Sequence, residues 1–133
     1  MDKQAVFTAV VSHLMTQGKC SRLDTDCRYR GPEGLKCAIG ALIPDDLYDA
    51  RIEGKAVGWI AAKLFGSKLP WTEHSMLRDI LEKAVGAKCI ADFEFLASLQ
   101  RIHDKYFVEE WELQLRRVGR MHELNFPEVT CGR

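Results

Sequence analysis

Charge of one sign is what this sequence most plainly lacks. Its 133 residues carry 19 basic and 19 acidic side chains. The balance also holds locally, with nine basic and eight acidic groups in residues 1–66 and ten and eleven in residues 67–133. No basic excess is left to neutralise a nucleic-acid backbone, so bulk nucleic-acid binding is not expected, and no acidic excess suggests a nucleic-acid mimic. Long hydrophobic runs are missing too. The longest, residues 5–11 with Thr8 inside and residues 37–44, fall far short of the roughly 20 residues that span a bilayer, so no membrane contact is expected. The start, Met1, Asp2, Lys3 and Gln4, lacks the basic and apolar pattern of a secretion signal, and the end lacks a lipidation box, which together predict a cytoplasmic protein. Low hydropathy is absent as well: 47% of the residues are apolar, which excludes a disordered chain.

The familiar chemical motifs are also missing. The sequence has no GxxxxGK[ST] phosphate loop, GxGxxG turn, HExxH helix or GxSxG elbow. Asp24, Thr25 and Asp26 begin like a calcium loop, but Arg28 stands where a third oxygen ligand is needed. No cofactor is expected.

What remains is one domain over residues 1–133, mainly α, resembling a bundle of five to six helices with one small β-hairpin at about residues 27–38. No Gly/Ser-rich linker or internal repeat divides it. Val6, Phe7, Val10, Val11 and Leu14 recur at helical spacing over residues 3–16, with Asp2 to cap the start and Gly18 to end it. Pro44, Asp45 and Asp46 look like a helix start. Further helices are predicted over residues 55–65, 73–85 with Thr72 as cap, 90–104 and 108–124. Residues 27–30 and 35–38 alternate about the turn signal Gly31, Pro32, Glu33 and Gly34, which predicts the hairpin. In the last helix Glu109, Glu110 and Glu112 precede Arg116, Arg117 and Arg120, an order that follows the helix dipole.

The stretch between Gly18 and Ala38 is long for a helix–helix connection. It holds Lys19, Arg22, Arg28, Arg30 and Lys36 against Asp24, Asp26 and Glu33, a local excess of two positive charges. Arg28, Arg30 and Lys36, with Tyr29 as an aromatic contact, are candidate partner-binding residues; solvated cations around a Tyr29 that covers the bundle are the simpler use.

Of the five cysteines, Cys20, Cys27 and Cys37 fall in this stretch. An odd count without a secretion signal favours free thiols. Their separations of seven and ten positions are not those of a zinc knuckle, so a zinc held by Cys20, Cys27 and Cys37 is a lesser alternative to buried thiols. Another alternative is a hydrolase or transferase in which Cys37 is the nucleophile, His103 the base and Asp104 its orienting carboxylate. Adjacent helical residues point about 100° apart, so that pairing requires the helix to end near Asp104. His103 also continues the stripe of Leu96 and Leu99, where a histidine serves as a core residue. A metal-dependent phosphohydrolase of the HD type would need a downstream aspartate, and none follows Asp104.

The run from Cys27 to Gly31, then Gly34 to Gly40, Leu42 to Asp46 and Tyr48, resembles small bacteriophage and prophage proteins. So does the later pattern of Leu99, Gln100, Ile102, His103, Asp104 and Trp111. The resemblance covers most of the chain and implies no catalytic role. It implies a setting, in which such proteins act by binding a bacterial host protein, including components of antiviral defence such as CRISPR complexes.

Overall fold

The computed structural model describes residues 1–66 and 74–128. It is mainly helical with one two-stranded antiparallel hairpin. The helices are α1 (Lys3–Gln17), α2 (Val57–Leu64), α3 (His74–Val85), α4 (Ile90–Lys105) and α5 (Trp111–Met121). The first begins and ends as its sequence dictates. The Asp2 carboxylate accepts the Ala5 N–H at 3.2 Å, and Gly18, at φ 61°, donates its N–H to Leu14 O. At the start of α4 the Asp92 carboxylate accepts the N–H groups of Lys88 and Cys89. The proposed Thr72 cap and Cys131 lie outside the described residues.

Helix α4 is the central element, packed against α2 on one side and α5 on the other, while α1 closes against α5. Phe93, Phe95, Leu96, Leu99 and Ile102 of α4 join Phe7, Val10, Val11 and Leu14 of α1 in one core. Each such side chain contributes about 1.5–3 kcal/mol on burial. Gly119 sets the approach of α5 to α1: a Cβ there would stand 2.9 Å from the tip of the Phe7 ring. Among the described residues no helix is long and apolar enough to cross a membrane.

Two local expectations are corrected. Pro44 does not open a helix; its carbonyl accepts the N–H groups of Leu47 and Tyr48 in one isolated turn, and extended backbone follows at Asp49. The ladder of the hairpin lies earlier than the alternation suggested, with β1 (Arg22–Leu23) paired to β2 (Asp26–Cys27). Between residues 27 and 38 the expected strands meet at a single bridge, Arg30 to Lys36. The rest of that segment is held by side chains from distant elements, which a two-residue periodicity does not encode.

Candidate functional site

The segment from Cys20 to Lys55 is a strap latched to the bundle at several points. Ser21 is one of them. It is wholly buried; its carbonyl accepts the Arg28 N–H at 3.0 Å and its hydroxyl donates to Arg28 O at 2.8 Å. Its own N–H donates to His103 Nε2 at 2.8 Å. On the other side of the ring, His103 Nδ1 lies 2.7 Å from Asp104 Oδ1. A nitrogen that accepts a backbone N–H holds no proton, so the network fixes His103 with its proton on Nδ1, donated to the carboxylate. Both residues lie in the last turn of α4, which ends at Lys105.

Glu53, itself part of the strap, is the second tie and folds the strap on itself. Its carboxylate accepts the N–H of Tyr29 at 2.8 Å, the N–H of Arg30 at 3.1 Å and the Tyr48 hydroxyl at 2.7 Å, and Arg28 Nε stands 3.5 Å away. Arg30 lies over the Tyr48 ring, pairs with Asp45 at 2.7 Å and donates to Ile43 O. Tyr29 points inward and is only 3% exposed. Its hydroxyl donates to Lys55 O and accepts from Gln100 Nε2, while Gln100 Oε1 accepts the Val57 N–H. The third latch is on α1, where the Gln17 amide accepts the Lys36 N–H and donates to Lys36 O, as a neighbouring strand would, and His13 Nε2 donates to the same carbonyl.

The residues singled out in the sequence therefore converge. Cys27, Arg28, Tyr29, Cys37 and Asp104 line one cavity of about 140 Å³, closed behind by Gln100. Their chemistry differs from the expectation. Cys37 is buried, with its sulfur accepting the Gly40 N–H at 3.2 Å. That donor favours a thiolate, but burial outweighs it and pushes the thiol up to about 12. Burial and the neighbouring Asp104 carboxylate push Cys27 up to about 11. Neither sulfur is an anion near neutral pH, and His103 has no free nitrogen with which to take a proton. Tyr29 is a core residue, so the aromatic contact expected of it is corrected; Arg28, Arg30 and Lys36 stay partly exposed beside it.

Metal binding can be tested on the same geometry. One ligand atom each from Cys27, His103 and Asp104 lies within 4.8 Å of the others, a grouping different from Cys20, Cys27 and Cys37. An ion on His103 Nδ1 would have to displace its proton while Nε2 still accepts from Ser21, leaving the ring an imidazolate. The arrangement does not fit a metal unless the Ser21 latch opens.

Ser21, Glu53, Gln100 and Gln17 carry the site and were not singled out from sequence. Gln100 falls inside the later Leu99–Asp104 pattern without standing out in it, and Ser21, Glu53 and Gln17 are lone polar residues outside any motif whose roles come from partners distant in the chain. Fold and site together define a small, mainly α protein whose longest connection is latched to the bundle by buried polar groups. Comparison with protein-family models, curated proteins and solved structures finds no significant match.

Proposed function

We propose that the protein acts by binding a bacterial host protein, as a phage-type accessory factor, with antiviral-defence complexes the first class of partner to test. The observation behind this reading is the form of the strap. Its base is tied down at Ser21, Glu53 and Lys36, while residues 22–26 stand exposed at its tip, including Leu23 at 48%. An apolar side chain held out on a fixed base is pre-organised for docking, because little ordering entropy remains to be lost. Arg28, Arg30 and Lys36 follow the tip in the chain and stay partly exposed, Arg28 paired with Glu53 and Arg30 with Asp45. The thiol-enzyme alternative is not retained, since it needs a thiolate and a free imidazole nitrogen where the geometry has neither.

The test is quantitative affinity capture from bacterial lysate, with the wild-type protein and the tip variant Leu23→Asp as baits. A partner retained by the wild type and reduced at least about tenfold by the variant supports the reading. Equal recovery by both, or no enriched protein with either, overturns it.

A further inference from the structure

The exposed side of α5 is the second unusual surface. Of the five large apolar side chains exposed among the described residues, three fall between positions 107 and 121: Phe107 and Met121 at 78%, and Leu113 at 51%. Trp111, Leu115 and Gly119 bury the opposite side of α5, which leaves Leu113 and Met121 on its outward side, while Phe107 stands on extended backbone ahead of the turn that leads into the helix. Its charges are ordered about Leu113. Arg117 stands four positions after it on the same face of the helix, and Glu109 four positions before it, in the tight turn of residues 108–110 that leads into α5. Both charged side chains are exposed, and neither makes an ion pair or hydrogen bond among the described residues. By contrast, Glu110 accepts the Phe107 N–H, and Arg116 pairs with Glu112 and covers Phe126.

A surface acidic before an apolar centre and basic after it, here Glu109 on one side of Leu113 and Arg117 and the exposed Arg120 on the other, is complementary to itself when turned end for end. We infer that this face of α5 pairs antiparallel with α5 of a second copy of the chain, about a two-fold axis at Leu113. Leu113 then meets its own copy, and each Arg117 faces Glu109 of the other chain, giving two symmetry-related ion pairs. Met121 reaches the Phe107 end of the second copy, where sulfur and ring make a favourable contact. One helix face buries less than the roughly 800 Å² per partner of a standard interface, so the dimer is a weak, concentration-dependent one. A generic acidic partner would use the arginines alone and leave Glu109 without a role.

The test is sedimentation equilibrium of the intact chain at low salt, from about 10 μM to about 1 mM. The wild type is expected to rise toward twice the monomer mass, less so at high salt. Arg117→Glu and Glu109→Arg, each at an exposed position and checked for folding by circular dichroism, are each expected to weaken association at least about tenfold. Mixing the two variants restores both ion pairs, and association is expected to return to at least the wild-type level. A wild type that stays monomeric throughout, single variants that associate like the wild type, or a mixture no tighter than either variant alone would overturn the inference.

Discussion

Cys37 illustrates how a residue's chemistry is set by what surrounds it. The sequence offers a thiol beside small residues and N–H donors, and one such donor, from Gly40, does reach the sulfur. The donor is outweighed because Cys37 is buried, and a thiolate loses more in hydration than one N–H returns. Gly40 belongs to the same packing, since a Cβ on it would fall 2.0 Å from the carbonyl oxygen of Tyr29. In the native protein near pH 7, iodoacetamide is expected to modify the exposed Cys89 first, with Cys37 slower by at least roughly a hundredfold until the chain is unfolded. Peptide mass spectrometry over a time course reads this directly; comparable rates at the two positions would remove the account of Cys37 as a packed core thiol.

At the scale of elements, the strap is held by side chains distant from its ladder, some on the bundle and one, Glu53, near its own far end. Its only ladder is two residues long on each side, too short to stand alone. Glu53 supplies what the ladder lacks by accepting two strap N–H groups and the Tyr48 hydroxyl. Glu53→Ala is expected to cost about 1–3 kcal/mol in urea denaturation, because it leaves part-buried donors without their acceptor. Glu53→Gln keeps one acceptor oxygen and is expected to cost less. Amide exchange should rise first at Tyr29 and Arg30 in Glu53→Ala, ahead of α4; uniform loss of protection would mean that the strap and bundle open as one unit.

For the whole molecule, the neutral charge balance makes stability depend on pH through individual buried groups and not through net repulsion. His13 titrates below the ordinary histidine range, chiefly because burial disfavours its charged form; its bond to Lys36 O opposes this, while the nearby Lys36 and His103 lower it further. His122 is lowered too, by burial and by Lys3. A histidine whose folded value lies below its unfolded one binds more protons when unfolded, so stability falls as pH drops through about 6.5 and continues to fall until the folded value is passed. Asp92 acts in a lower window. Burial pushes its carboxyl up, the N–H groups of Lys88 and Cys89 pull it down further, and its contribution is lost only below about pH 4. Thermal midpoints should therefore decline between pH 7 and 5, and His13→Gln should flatten that decline while keeping a donor for Lys36 O. An unchanged slope in the variant would show that His13 does not carry the effect.

The helices were legible because their information is local. Asp2, the apolar positions of α1 and Gly18 lie within one helix length, and capping and periodicity act over three or four residues. The long connection after α1 was legible as exceptional, and the cavity does gather Cys27, Arg28, Tyr29, Cys37 and Asp104. What these residues do was decided by contacts that sequence spacing does not carry: Tyr29 to Glu53 across 24 positions, Tyr29 to Gln100 across 71, and Ser21 to His103 across 82. The sequence determined the α class, both ends of α1 and the absence of a dominant charge. The tertiary structure alone decided that Tyr29 faces inward, that Cys37 stays protonated and that His103 is a latch, because burial and a distant partner set the cost of every polar group.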